Sequence, residues 1–219
     1  MSTLVIYHSA DLDGICCREI AFKALGTEGV TYLGWDYGQP IPNFSPYNHV
    51  YLLDISLPRI NMMSLASCWG KLQWIDHHQS AIREMSDLAI DGYRIDGVAA
   101  CRLAWQWFFG APGGLREEHV WPCGEDYRGL RVDEPYAVRL LGRYDVWDKA
   151  GDDNIDVFQL GMQAEANPDW HLLLQPQSDE GSGAEHVQSA YISTVLDRGR
   201  AIQSYTDVTN AKIATERGF

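Results

Sequence analysis

Residues 3–7 (TLVIY) form a short apolar run that breaks off into a polar segment, 8–14 (HSADLDG). After that segment ICCREIAFKAL continues with helical spacing. Strand, polar loop and helix in immediate succession restrict the chain to few architectures, and the pattern recurs. VTYLGW at 30–35, HVYLLD at 49–54 and KLQWID at 71–76 are further strand-like runs, each separated from the next by enough residues for a crossover. Nearly continuous apolar strands alternating with helices predict an α/β fold, a parallel sheet covered by helices on both faces. From Gly97 onward the spacing turns helical in GVAACRLAWQWFF and EPYAVRLLGRYDVW. The Gly- and Pro-rich stretches 110–114 and 120–129 read as loops, and 175–186 (QPQSDEGSGAEH) reads as a linker. Beyond it, Val187, Tyr191, Val195, Ile202, Tyr205, Val208 and Ile213 recur at helical intervals, so one long amphipathic helix is expected over about 184–216. Its apolar face makes a homodimer an expectation.

Bulk composition excludes several functions. With 219 residues, 46% hydrophobic and 21% charged, the chain can bury a sizeable core. A formal net charge of −13 argues against a surface that grips long nucleic acid, which needs Lys and Arg to replace phosphate counterions. A phosphate-bearing partner must therefore be met locally. No run reaches the roughly 18 apolar residues of a membrane span, and the opening MSTLVIYHSADLDG lacks the basic start of a signal peptide, so a cytoplasmic protein is expected. The cysteines, Cys16, Cys17, Cys68, Cys101 and Cys123, form no C-x-x-C pair and are read as small hydrophobes on helices.

In a parallel α/β sheet, functional groups gather beyond the carboxyl ends of the strands. Three such ends carry acid or imidazole here: His8, Asp11 and Asp13 after the first strand, Asp54 after the third, and Asp76, His77 and His78 after the fourth. Taken singly, Asp11 or Asp13 can cap the following helix, and Asp54 with Ser56 and Pro58 can start the next one. Taken together, carboxylates drawn to one sheet edge repel one another, and bound cations relieve that repulsion. Oxygen donors with a minority of imidazole and no thiolate suit manganese or magnesium, with iron, cobalt or zinc as substitutes.

The segments YHSADLDG, LLDIS, WIDHHQSA and RYDVWD, in this order, resemble the motifs of the DHH phosphoesterases. That family includes manganese pyrophosphatases, RecJ-type exonucleases and the small oligoribonucleases called nanoRNases. The resemblance covers about residues 4–150, and GVAACRLAWQWF at 97–108 resembles a helix of the nanoRNase-like branch. It implies a catalytic domain over 1–150 and a helical extension over 151–219; the family's usual C-terminal substrate-binding domain with its GGGH-like signature is not expected in this sequence, which reads as either naturally minimal or cut after the linker helix. It further implies two divalent ions, Mn2+ foremost, with His8 and Asp11 on one, Asp13, His77 and Asp145 on the other, and Asp54 bridging. Asp148 is the alternative to Asp145. His78 is expected to contact the scissile phosphate, and Asp76 to support the imidazoles from behind.

The activity so implied is hydrolysis of phosphodiester bonds in short oligonucleotides or dinucleotides by in-line displacement, without a covalent intermediate. A pyrophosphatase or polyphosphatase is the second enzymatic reading and would need cations, for which Arg83, Arg94, Arg139 and Arg143 are the candidates. A nucleotide-binding regulatory module without turnover is the third. Trp35 and Tyr37 can either stack on a nucleobase or pack in the fold.

Overall fold

The computed structural model describes residues 2–68, 71–110, 134–175 and 183–217. The loops read at 111–114 and 120–129, Cys123 and most of the 175–186 linker lie outside these residues. The chain divides into two compact units, Met1–Glu134 and Pro135–Phe219.

The first unit is an α/β domain. Strands β1 (Thr3–His8), β2 (Val30–Trp35), β3 (His49–Leu53) and β4 (Leu72–Ile75) make an all-parallel sheet in the order β2-β1-β3-β4. The order follows from the direction of winding. Helix α1 (Leu12–Leu25) carries the chain from β1 to β2 on one side, and the chain then crosses back to place β3 on the other side of β1. Winding therefore reverses between β1 and β3, which opens a crevice at their carboxyl ends. The crossover from β2 to β3 contains no helix, although the sequence pattern suggested strict alternation.

Side chains alternate across the sheet as strand geometry requires. Leu4, Ile6, Val50, Leu52, Leu72 and Trp74 face one layer, where Met62 and Leu65 of α2 (Arg59–Ala66) and Ala81 of α3 (Gln79–Glu84) close the core. Trp35 belongs to this core, with its indole donating to the Pro40 carbonyl at 3.1 Å, so it packs the fold and offers no face to a base. On the opposite layer α1 packs against β1, β3 and α4 (Ala100–Phe109), burying Cys16, Cys17, Ile20 and Cys101. These three cysteines behave as small hydrophobes, whereas Cys68 is exposed.

The second unit is helical: α5 (Tyr136–Asp145), α6 (Asn154–Gln163), α7 (Trp170–Leu173) and α8 (Gly183–Arg217). The long helix expected from the spacing at 184–216 is present. Its Val195 and Gly199 meet Gly161 and Val157 of α6 at backbone contact, since a Cβ on Gly161 would lie 2.0 Å from the Val195 carbonyl oxygen. Glycine here sets how closely the two helices cross. Further along α8, Tyr205 and Val208 are exposed. Among the described residues no helix is long and apolar enough to cross a membrane.

Candidate metal centre

The carboxyl ends of β1, β3 and β4 bring His8, Asp11, Asp13, Asp54, Asp76, His77 and His78 of the first unit to one edge of the sheet. Each arrives by a local device. Asp11, in extended conformation, is the N-cap of α1 and accepts from the Gly14 amide at 2.9 Å. Gly14 itself is required there, because a Cβ would fall 2.1 Å from the His8 carbonyl oxygen. Glycine thus lets α1 begin directly against the end of β1.

Asp13 has a second function that local sequence does not announce. Its Oδ2 accepts from the Ala100 amide and its Oδ1 from the Cys101 amide, each at 2.9 Å. Helix α4 has Ala99 at its N-cap position and no capping side chain of its own. A buried carboxylate on α1 therefore satisfies the unpaired amides that every helix start leaves. Asp54 does not cap the helix after it: α2 starts behind Pro58 without a side-chain cap.

Asp54 is the centre of the arrangement. It is 1% exposed, its amide is held by the Ile75 carbonyl at 2.9 Å, and its backbone is left-handed with φ 60°. Asp is among the residues that tolerate this region, at some strain. Its two oxygens address different imidazoles. Oδ2 lies 3.5 Å from Nδ1 of His8, and Oδ1 lies 3.4 Å from Nε2 of His77 and 3.8 Å from Nδ1 of His78. Nδ1 of His8 is also 2.8 Å from Oδ2 of Asp11, and Nε2 of His77 is 3.8 Å from Oδ2 of Asp13.

These distances bear on whether cations fit. Oδ1 of Asp54 and Nδ1 of His8 are shut off from solvent and make no aligned hydrogen bond despite their close neighbours. Buried polar atoms left in that condition are costly, and a cation held between such groups would relieve the cost. His8, Asp11 and Asp54 form one group able to hold a metal ion, and Asp54, His77 and His78 form another, with Asp54 common to both.

Electrostatics follow from the same contacts. The neighbouring Asp54 carboxylate, against the opposing effect of burial, raises His8 to about 9, and Asp11 and Asp36 add to the rise. Burial would raise Asp54, but the imidazoles of His77 and His8 outweigh it and hold the carboxyl below its ordinary value. Burial and then the charge of Asp54 raise Asp11.

Behind His78, the fully buried Asp76 accepts at Oδ1 from the His77 amide at 2.7 Å, the His78 amide at 3.0 Å and Nδ1 of His78 at 2.7 Å, while Oδ2 accepts from the Trp74 indole at 3.0 Å. The bond to Asp76, opposed by burial, raises the His78 pKa. The His78 side chain remains 40% exposed, so its ring is anchored at one nitrogen and open to a ligand.

Asp36 escaped the sequence reading. It follows β2 directly and its Oδ1 stands 3.4 Å from Nε2 of His8. The available signal was its position just past a strand end, shared with the other acids. Tyr37 beside it is half exposed, its hydroxyl 3.4 Å from the Ser56 Oγ.

Asp145 is the last residue of α5 and belongs to the second unit. Asp148 is engaged by Arg143, whose Nε lies 3.2 Å from its Oδ2. Arg143 also donates to the Ala150 carbonyl. Arg94 donates to the carbonyls of Trp74 at 3.0 Å and Ile90 at 2.7 Å, so its guanidinium holds the loop after α3 to the sheet. Comparison of the chain with protein-family models, with curated proteins and with solved structures found no match.

Proposed function

We propose that the chain is a two-metal phosphoesterase of the DHH type, acting on phosphodiester bonds of short oligonucleotides or dinucleotides. What carries this reading is Asp54: one buried carboxylate directs separate oxygens at His8 and His77, and one of those oxygens has no hydrogen bond. His8 and Asp11 would hold one ion and Asp13, His77 and Asp145 the other, with Asp54 shared. The donor set, mostly carboxylate oxygen with two imidazoles, favours Mn2+ or Mg2+. Ions so bound polarise phosphoryl oxygens and make water acidic enough to attack at neutral pH.

The chain's own groups have distinct tasks. Asp76 fixes the His78 ring through Nδ1 and keeps it protonated over a wider pH range. His78 then donates a hydrogen bond to the phosphoryl oxygens as charge builds on them. The diester reading gains over pyrophosphate cleavage because Arg94 and Arg143, two of the cations that a second phosphate would need, are committed to backbone carbonyls.

The test combines calorimetric titration with Mn2+ and hydrolysis of a labelled linear dinucleotide. Wild type is expected to take up two equivalents and to cleave, while Asp54→Ala and His77→Ala lose turnover. Asp145→Ala should lose one equivalent and Asp148→Ala should keep both, since Asp148 already serves Arg143. Full turnover in Asp54→Ala would end the two-metal reading.

A further inference from the structure

Within the first unit, the loops that follow β2 and β3 meet beside the candidate metal centre, and Tyr37 joins them. Its hydroxyl lies 3.4 Å from both the amide and the Oγ of Ser56, two residues past Asp54. Contacts of that length are longer than good hydrogen bonds, so they place the side chain without adding much stability. The Tyr37 amide donates at 2.7 Å to Oδ1 of Asp36, the oxygen that also faces Nε2 of His8. Tyr37, Asp36 and His8 therefore form one continuous rim of the centre. The Tyr37 ring centre is 6.4 Å from that of His8 and 5.9 Å from that of Trp35.

The two aromatic neighbours do not cover this ring. Their planes are inclined to it by 58° for His8 and 65° for Trp35, so neither occupies the offset-stacked position that a planar ligand would take. Trp35 is buried in the core, whereas Tyr37 is 55% exposed. Charge decides what kind of group can lie against it. Asp11, Asp36 and Asp54 find their ion-pair partners in His8, His77 and His78, so this side of the centre presents carboxylates and imidazoles. A second phosphate set beside Asp36 would be repelled, while an uncharged planar base would not.

We propose that Tyr37 is the stacking platform for a nucleobase of the substrate, so that the phosphate at the metal centre belongs to a nucleotide and not to pyrophosphate or polyphosphate. The proposal rests on the phosphoesterase reading for the phosphate end of the ligand. The platform and the groups next to it, His8, Asp11 and Asp54, lie in the same unit, and the 6.4 Å between the His8 and Tyr37 rings leaves the width of a sugar between phosphate and base. Aromatic faces hold bases without strong sequence preference, which suits an enzyme of short oligonucleotides. The Ser56 contacts make Tyr37 a tie between two loops as well, and the two roles separate by substitution, because stacking needs the ring and the tie needs the hydroxyl.

The experiment is calorimetry of the full chain with AMP and with ribose 5-phosphate, each in the presence of Mn2+, on wild type, Tyr37→Ala and Tyr37→Phe. Wild type should bind AMP more tightly than ribose 5-phosphate. Tyr37→Ala should bind AMP about 5- to 150-fold more weakly and ribose 5-phosphate as wild type does. Tyr37→Phe should retain most of the AMP affinity. Equal affinity of wild type for the two ligands overturns the proposal, as does an AMP affinity unchanged in Tyr37→Ala. Parallel loss of both ligands in Tyr37→Ala, or a loss in Tyr37→Phe as large as in Tyr37→Ala, assigns Tyr37 to the loop tie and overturns the platform. Wild type that takes up no Mn2+ refutes the metal reading alone, and an AMP preference that vanishes in Tyr37→Ala still upholds the platform.

Discussion

Nε2 of His8 stands 3.4 Å from Oδ1 of Asp36, on the far side of the ring from the nitrogen that faces Asp11 and Asp54. A histidine that ligates a metal through one nitrogen usually donates its other N–H to a carboxylate, which fixes tautomer and orientation. Asp36→Ala is therefore expected to weaken Mn2+ binding about 10- to 100-fold. Asp36→Asn, whose amide oxygen can still accept, should recover part of the loss. Titration with Mn2+ at fixed pH checks both, and wild-type affinity in Asp36→Ala would remove Asp36 from the site.

Asp13 should matter to stability even where no metal is present. Its carboxylate is the cap that α4 lacks, so Asp13→Ala strands two buried amides. The expected loss is about 1–3 kcal/mol in EDTA-treated protein, measured by urea unfolding. Asp11→Ala removes one partly exposed cap bond and should cost less, about 0.5–2 kcal/mol. Equal losses would mean that Asp13 is not the more important cap.

Gly14 reverses a general rule. Replacing glycine by alanine inside a helix commonly adds up to about 1 kcal/mol of stability. Here the new Cβ would meet the His8 carbonyl oxygen at 2.1 Å, so α1 or the end of β1 must shift. Gly14→Ala should destabilise by about 1–3 kcal/mol and weaken Mn2+ binding with it. Thermal melts with and without the metal check this, the metal-induced rise in Tm being smaller in the variant.

The metal-free protein should lose stability on the alkaline side. His8 titrates near 9 in the fold against an ordinary value of 6.5, so the folded chain holds a proton that the unfolded chain releases. The stabilisation is complete below pH 6.5 and fades as pH rises through 9. Denaturation midpoints of EDTA-treated protein between pH 6 and 10 should fall over this window, and His8→Gln should flatten the fall. An unchanged slope in His8→Gln would assign the effect to another group.

The fold was legible because its signals are local. Apolar runs of strand length at residues 3–7, 49–54 and 71–76, each ending in acid or imidazole, specify both the parallel sheet and the edge where its functional groups collect. The α8 helix was legible from spacing alone. The crossover between β2 and β3 was not, because nothing in 36–48 distinguishes a helical connection from an irregular one. Trp35 shows the same limit: an aromatic at a strand end reads equally as platform or core, and only its place under the sheet decides.

For the site, the residue types and their spacing determined by themselves that acids and imidazoles would meet beyond the strands, since strand ends in a parallel sheet point one way. Tertiary structure alone decided which atoms face which. Asp13 reaches an α4 amide 87 residues away, Asp36 comes to His8 because β2 pairs with β1, and Trp147 is forced into a left-handed turn by the way α5 closes. Those relationships depend on strand order, on helix ends meeting distant side chains and on backbone dihedrals. Sequence spacing records none of these, because each is settled by the chain folding back on itself.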